Sequence, residues 1–203
     1  MKKNLLKAVI TVCCLVAFAS AHAEVPISAS GQIGYSSPQG SYFKNDVGEK
    51  MSKFGIGLDF DILWHFEQLD YKLGVGLTWN TAFLFGADVG NFDIGLYGLN
   101  LYGVKGQWRF LDSKVSPYGA LAFGLSRFST PQISMIDSYG NETIIDKGEN
   151  KFNLGIRPEI GVDLGGFLIS MGYFVPMNYS LNNKVSKTAG NLQINIGYRH
   201  TFY

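Results

Sequence analysis

The stretch GNLQINIGYRHTFY, at positions 190–203, decides how the chain is expected to fold. Successive side chains of a β-strand point to opposite faces, so residues two apart share a face. One face of this stretch carries Leu192, Ile194, Ile196, Tyr198 and Phe202, and the other carries Gln193, Asn195, Arg199 and Thr201. The sequence therefore predicts a strand with one face that must be covered by something apolar along its whole length.

Seven further stretches show the same two-residue period. In the clearest of them, FGIGLDFDILWH at 54–65, large apolar residues alternate with small or acidic ones over the first nine positions. The predicted strands cover residues 28–35, 53–65, 71–84, 95–110, 115–128, 151–163, 167–179 and 190–203. No stretch after residue 23 keeps a helical period over more than two turns, so the fold class is all-β.

Two of these strands have a less regular pattern. In the fourth, Asn100 shares a face with Tyr102 and Val104, which predicts either a β-bulge or one polar residue on the apolar side. In the fifth, the phase around residues 120–123 is ambiguous because both alternating sets are apolar.

The connections between the strands alternate in length. Long polar segments follow the first, third, fifth and seventh strands, and short ones follow the second, fourth and sixth. All long connections therefore lie at one end of the sheet. The short turns and both chain ends lie at the opposite end. This asymmetry is typical of transmembrane barrels of the outer membrane.

Alternation alone does not say whether the apolar face points inward, as in a soluble lipocalin-like barrel, or outward to lipid. The polar face consists mostly of Gly, Asn, Ser, Asp and Thr, which suits a narrow barrel interior better than a hydrated surface. Aromatic residues also gather near both strand ends, as in the aromatic girdles of membrane barrels. The predicted girdle residues are Trp64, Trp79, Phe83, Tyr97, Trp108, Tyr118, Phe128, Phe167 and Tyr179. We therefore expect an eight-stranded antiparallel transmembrane up-and-down β-barrel, with a soluble periplasmic lipocalin-like binder as the alternative.

The first 23 residues are typical of a secretory signal peptide. Lys2, Lys3 and Lys7 precede an apolar run at 8–19, and Ala21-His22-Ala23 forms a small-x-small cleavage signal. Cleavage after Ala23 would leave residues 24–203 as one barrel domain. That segment contains neither cysteine of the chain. Without the three signal lysines, the 17 basic residues of the chain fall to 14 against 16 acidic ones, and this balance argues against a nucleic-acid partner.

Charged residues in the predicted strands are candidates for a network inside the barrel. They are Asp59, Asp61, Lys72, Arg109, Arg157, Glu159 and Arg199. An eight-stranded barrel is filled by its side chains, so these charges are expected to pair with one another. A narrow porin-like path for ions or small solutes is the alternative, which conductance across a bilayer would test.

The sequence offers little support for an enzyme. The predicted mature chain has two histidines, His65 and His200, and neither belongs to a His-x-Ser, G-x-S-x-G or metal-binding motif. We expect no catalytic site, no metal and no cofactor. A lipid-modifying enzyme remains the less favoured alternative, which substitution of His65 with a lipid assay would test.

Taken together, these residues resemble the small eight-stranded bacterial outer-membrane β-barrels, the group with OmpX and the OmpA membrane domain. That group carries a C-terminal assembly signal, matched here by Asn195, Gly197, Tyr198 and Phe202, with Tyr203 beyond it and His200 at a position that is usually hydrophobic. The resemblance implies insertion by the barrel-assembly machinery, outer-membrane lipid and lipopolysaccharide around the barrel, periplasmic termini and extracellular long loops. It also implies a monomer with a structural or surface-interaction role in the cell envelope.

Any recognition of an extracellular partner is expected in the long loops. Apolar alternation on both sides of Tyr139-Gly140-Asn141 predicts a hairpin within residues 133–146, extending beyond the membrane. Such a hairpin would present an exposed strand edge to a partner.

Overall fold

The chain is described by a computed structural model covering residues 25–44, 50–86, 92–136, 142–181 and 185–202. The predicted signal peptide and Tyr203 lie outside these residues. Eight antiparallel strands form a closed barrel, so the predicted all-β barrel is confirmed. Within the described ranges, no helix is long and apolar enough to cross a membrane.

Each barrel strand corresponds to one of the predicted strands. The barrel strands are β1 (Ile27–Gln39), β2 (Ser52–His65), β3 (Leu73–Gly86), β5 (Tyr97–Arg109), β6 (Val115–Ser129), β9 (Asn150–Leu164), β10 (Phe167–Leu181) and β11 (Val185–Phe202). Their order around the barrel follows the chain, and β11 closes it against β1. The short connections between β2 and β3, β5 and β6, and β9 and β10 define the short-turn end. The opposite end is the long-loop end.

The pairing of β1 with β11 explains why the C-terminal stretch alternates to its last residues. Thirteen residue pairs join the two strands, from Ile27 and Phe202 at the short-turn end to Gln39 and Gly190 near the long loops. The apolar side chains of β11 face outward, and Ile194, Ile196 and Tyr198 are each more than half exposed. Closure therefore satisfies the backbone of both terminal strands while leaving an apolar outer wall.

The two strands with the less regular sequence pattern are β5 and β6. Both pair with their neighbours in a regular register, so the structure defines which of their residues face outward. Pairing of β5 continues on both sides through Asn100 without a shift, so Asn100 is a polar residue on the outer face rather than a bulge. Thr81 on neighbouring β3 donates a hydrogen bond from Oγ1 to Asn100 Oδ1, at 2.6 Å, so the two outward polar groups satisfy each other. On β6, Leu121 and Phe123 point outward and Ala122 points inward.

A second, three-stranded sheet is built from two of the long connections. It contains β4 (Phe92–Ile94), β7 (Ile133–Ile136) and β8 (Glu142–Asp146), in the order β4-β7-β8. β7 and β8 pair antiparallel, which confirms the predicted hairpin, although residues 137–141 at its tip lie outside the described residues. β4 joins the hairpin from the connection between β3 and β5, so one sheet links two loops.

Residues 24–203 refolded in detergent are expected to migrate faster on a gel when unboiled than after boiling. A barrel closed by the β1–β11 pairs stays compact in the gel until heat opens it, because closure leaves no free sheet edge. Deletion of residues 190–203 is the matched control and is expected to abolish the shift. A full-length chain that is soluble without detergent and shows no shift would contradict the outward apolar face.

Candidate functional site

The barrel interior contains three layers of side chains, which together form the candidate site. Near the short-turn end lies a lower polar cluster formed by Ser28, His65, Gln107, Asp163 and Arg199. Above it lies a central charge cluster formed by Asp59, Asp61, Lys105, Arg157 and Glu159. At the long-loop end lies an upper apolar cluster of aromatic and aliphatic side chains.

The central charge cluster joins three strands across the interior. Lys105 Nζ on β5 lies 2.7 Å from Asp61 Oδ2 on β2 and 3.1 Å from Glu159 Oε1 on β9. Arg157 Nη1 lies 2.8 Å from Asp59 Oδ2 and also contacts Glu159. Each of the five residues is at most 3% exposed. Buried charges of this kind are tolerated only when they are paired, and here each cation bridges two carboxylates.

The two-residue period of β2 and β9 places these groups. Asp59 and Asp61 are two apart, as are Arg157 and Glu159, so each pair points into the barrel from one strand. Gly172 on β10 faces the Arg157 guanidinium so closely that a Cβ there would overlap it. The absence of a side chain at Gly172 thus makes room for Arg157.

The lower polar cluster closes the short-turn end. Arg199 Nη1 lies 3.1 Å from Asp163 Oδ2, and Arg199 Nη2 donates to Gln107 Oε1 at 2.7 Å. Ser28 Oγ and His65 Nε2 are 2.7 Å apart, and both residues are buried. A polar pocket of about 250 Å³, lined by Arg109, Asp163, Arg199 and His200 among others, opens beside this cluster.

The upper apolar cluster is capped by a segment of the first long connection. A 3-10 helix at Ser41–Phe43 inserts two aromatic side chains into the barrel. The centroids of the Tyr42 and Phe128 rings are 4.6 Å apart. Phe43 packs edge-on against Tyr97 at 5.2 Å. Burial, with the negative charges of Asp146 and Glu149, raises the pKa of Tyr42 to about 12. The other buried members are Ala82, Leu84, Ile94, Tyr97, Leu99, Leu101, Ala122, Phe128, Phe174, Tyr179 and Ala189.

The structure brings together only part of the predicted interior network. Asp59, Asp61, Arg157 and Glu159 meet in the central charge cluster, and Arg199 lies in the lower polar cluster. The prediction was wrong for Lys72, which lies in the β2–β3 turn outside the interior, with Nζ 3.6 Å from Asp70 Oδ2. Arg109 is half-buried at the end of β5 and donates from Nη2 to the Ser113 carbonyl oxygen. What these residues do stays a prediction.

Sequence analysis missed the central cation, Lys105. Its signal was present, because Lys105 and Gln107 lie two apart on β5 in the phase opposite to Val104 and Trp108. Asn100 on the outer face obscured that phase. The Tyr42-Phe43 cap was missed as well, and two adjacent aromatics inside a polar connection were the available signal.

The prediction was also wrong for four of the nine girdle residues, which were expected on the outer face. Tyr97, Tyr118, Phe128 and Tyr179 point inward and are buried, because they belong to the inward phase of their strands. Tyr118 Oη donates to Glu159 Oε1 at 3.0 Å, and the Tyr179 hydroxyl is hydrogen-bonded to Ser126. The remaining five lie on the outward phase: Trp64 half-buried, and Trp79, Phe83, Trp108 and Phe167 exposed.

The residues of the predicted assembly signal alternate across the wall of β11. Tyr198 and Phe202 are exposed on the outer face, and Asn195 is fully buried inside. Gly197 faces Gln32 of β1 at the closing seam. Recognition of these residues by an assembly machinery stays a prediction.

Among the described residues, no group of three His, Cys, Asp or Glu side chains could hold a metal ion. Ser28 and His65 have the contact of a serine–base pair, but both are covered by protein. The expectation that the chain is not an enzyme stays a prediction.

Comparison with known proteins identifies the fold. No protein-family model matches the chain, and no curated protein sequence matches it either. Among solved structures, the chain is similar to Neisserial surface protein A, with 15% identity and a TM-score of 0.52 over 87% of this chain and 97% of that one. The attachment invasion locus protein Ail of Yersinia pestis also matches, with 19% identity and a TM-score of 0.45 over 88% of this chain and 100% of that one. The chain has the fold of the small eight-stranded outer-membrane β-barrels.

Replacing Lys105 with Met is expected to destabilise the barrel by roughly 3–5 kcal/mol, because the change leaves Asp61 and Glu159 buried without their shared cation. The free energy of unfolding would be measured by urea titration in lipid vesicles with tryptophan fluorescence. Lys72→Met is the matched control and is expected to cost about 0–1 kcal/mol, since its ion pair is exposed. Equal effects of the two substitutions would contradict the assigned role of Lys105.

Proposed function

We propose that the chain is an integral outer-membrane protein without catalytic activity that interacts with partners at the cell surface. In this proposal the short-turn end and both chain ends face the periplasm, and the long-loop end faces the exterior. The protein acts as a monomer, without a cofactor, surrounded by lipid and lipopolysaccharide. The observation that carries the surface role is the β4-β7-β8 sheet on the loop side of the barrel, whose β8 edge carries exposed isoleucines and is unpaired among the described residues.

The outer wall of the barrel supports the membrane placement. Every barrel strand exposes large apolar side chains outward, with Ile33, Phe60, Leu77, Val104, Leu121, Ile160, Met171 and Ile196 as one example from each strand. A continuous apolar band around a closed barrel greatly exceeds the few hundred Å² that a soluble monomer tolerates. In lipid the same band is the favoured surface.

The loop sheet supports interaction with a partner. Ile144 and Ile145 on β8 are 49% and 56% exposed, and Met135 on β7 is exposed as well. Among the described residues, β8 pairs only with β7, so its other edge has free backbone donors and acceptors. An extended segment of a partner can add to such an edge through backbone hydrogen bonds while its side chains contact the isoleucines.

The filled interior favours this role over that of a channel. The central charge cluster occupies the middle of the barrel with paired side chains, and Tyr42 and Phe43 cap the interior above it. A solute would have to displace both layers to pass. For this reason conductance through a narrow or gated path is only the second candidate for the function.

A cysteine introduced at Ile144 is expected to react with a membrane-impermeant maleimide on intact cells, because β8 lies at the exterior in this proposal. Ser113→Cys, in the β5–β6 turn, is the matched control and is expected to react only after the outer membrane is permeabilised. The two cysteines of the chain, Cys13 and Cys14, lie in the predicted signal peptide and would not contribute. The reverse labelling pattern would overturn the orientation.

Replacing Ile144 and Ile145 together with Ser is expected to reduce adhesion of expressing cells to protein-coated surfaces and to each other by several-fold, because the β8 edge loses its apolar contact area. The gel shift of the barrel is expected to stay unchanged, since neither residue lies in a barrel strand. Phe66→Ser, an exposed aromatic at the short-turn end, is the control. Unchanged adhesion with equal surface labelling would contradict a role for the loop sheet.

A further inference from the structure

The polar pocket at the short-turn end opens across the rim of the barrel. It has a volume of about 250 Å³ and lies between the β9–β10 turn, the end of β11 and Arg109 at the end of β5. Two of its lining residues, Asp163 and Arg199, face the interior. Two others, Tyr198 and His200, are exposed on the outer wall. The pocket, which we call the rim pocket, therefore connects the lower polar cluster with the apolar outer wall.

Two glycines keep the rim pocket uncovered. The β9–β10 turn consists of Gly165 and Gly166, whose φ angles of 70° and 104° are conformations that favour glycine. A Cβ at Gly166 would lie 2.9 Å from the Arg199 carbonyl oxygen and 3.1 Å from the Tyr198 ring. The turn approaches β11 this closely only without a side chain, so the turn leaves the pocket open.

The rim pocket carries more positive charge than its carboxylate neutralises. Asp163 Oδ2 pairs with Arg199 at 3.1 Å, and Asp163 Oδ1 accepts a hydrogen bond from the Gly166 N–H at 2.8 Å. Arg109 is half-buried, and no carboxylate of the described residues pairs with it. Its Nη2 donates to the Ser113 carbonyl oxygen, and its Nε has no hydrogen-bond partner in the described part of the chain. A half-buried cation of this kind is stabilised by an anion that accepts hydrogen bonds from it.

An apolar groove lies in the outer wall next to the rim pocket, on the side toward the long loops. It has a volume of about 470 Å³. Its lining includes Phe110, Ile160, Ile169, Met171 and Ile194. Along β10, Ile169 follows Gly166 of the rim pocket by three residues, which is about 10 Å at the rise of a β-strand. We call this depression the outer groove.

The strands that form the outer groove are paired with one another. β9 pairs with β10 along the whole stretch from Phe167 to Gly172, and β11 pairs with β10 over the same stretch. β6 pairs with β9 on the other side, where Gly119 opposite Ile160 places no side chain on the outer wall. Because these backbone groups already have partners, hydrocarbon can fill the groove without leaving them unsatisfied.

We propose that the rim pocket and the outer groove together bind one glycerophospholipid molecule from the inner leaflet of the outer membrane. Its phosphodiester lies in the rim pocket and accepts hydrogen bonds from Arg109, with His200 and Thr201 as further donors. One of its acyl chains lies in the outer groove. The single negative charge of a phosphodiester matches the unpaired charge of Arg109.

The choice of leaflet follows from the orientation proposed above. The short-turn end then faces the periplasm, so the lipid at the level of the rim pocket belongs to the inner leaflet, which consists of glycerophospholipids. The inference therefore rests on the proposed membrane placement and orientation.

The test uses residues 24–203 folded in detergent and titrated with phosphatidylglycerol, with the bound lipid counted by native mass spectrometry. We expect one lipid molecule to be retained per chain. Diacylglycerol with the same acyl chains and glycerol 3-phosphate are each expected to be retained about tenfold less, because each lacks one of the two contacts. Equal retention of diacylglycerol would overturn the phosphate contact. Equal retention of glycerol 3-phosphate would assign the site to a soluble phosphate and overturn the lipid.

A substitution at the rim pocket tests the position of the phosphate. Arg109→Gln is expected to weaken the retention of phosphatidylglycerol about tenfold, because charge-assisted hydrogen bonds are lost. Arg127→Gln is the matched control and is expected to change nothing. Arg127 is also half-buried, but it lies at the long-loop end, where its Nη2 donates to Asn150 Oδ1 at 2.9 Å. Equal effects of the two substitutions would contradict the phosphate position.

A substitution in the outer groove tests the position of the acyl chain. Ile169→Trp is expected to reduce retention several-fold, because the larger side chain fills the groove. Leu77→Trp on β3 is the matched control, since Ile169 and Leu77 are each 43% exposed on the outer wall. Retention by Ile169→Trp that equals retention by Leu77→Trp would overturn the acyl-chain position.

The gel shift of the barrel separates the failure of this inference from the failure of the proposed function. All four variants are expected to keep the shift, so that a loss of retention reports on binding. If the unaltered chain shows the shift and retains no phospholipid, the inference alone is overturned. A chain that is soluble without detergent and shows no shift would overturn the membrane placement, and the lipid site with it.

Discussion

Backbone pairing around the closed barrel is the constraint on which the rest of the structure depends. A strand in lipid must find partners for its N–H and C=O groups within the protein, and a ring of strands without edges provides them. The β1–β11 seam completes that ring, and the large apolar side chains that every barrel strand exposes form its outer wall. The interior is left as a narrow space that side chains must fill, which is why charges and aromatic rings are layered there.

The layers inside the barrel have different physical origins. In the middle, inward positions carry two cations among three carboxylates, and their proximity is tolerable because each cation serves two partners. Toward the loops, the inward positions become apolar, and Tyr42 and Phe43 complete that layer from outside the strands. The barrel is thus held by ionic pairing at one level and by aromatic packing at another.

The two-residue period predicted the strands well because a one-residue slip would bury the wrong face along a whole strand. It located all eight barrel strands, the order of long and short connections, and four of the five charges of the central cluster. It failed where one residue or one aromatic ring broke the phase. Asn100 hid Lys105, and Tyr97, Tyr118, Phe128 and Tyr179 were assigned to the outside because aromatic rings near strand ends occur on either face. The position of Lys72 depends on the geometry of the β2–β3 turn, which local periodicity does not contain.

The β4-β7-β8 sheet joins two connections that are separated in the sequence by the whole of β5 and β6. The surface it forms therefore exists only in the folded chain, with residues from both connections lying side by side. An antibody raised against the folded protein at this surface would recognise a discontinuous epitope, which a peptide copied from either connection would not reproduce. The pairing also makes the two connections depend on each other during evolution. A substitution in β7 alters the strand with which β4 must pair.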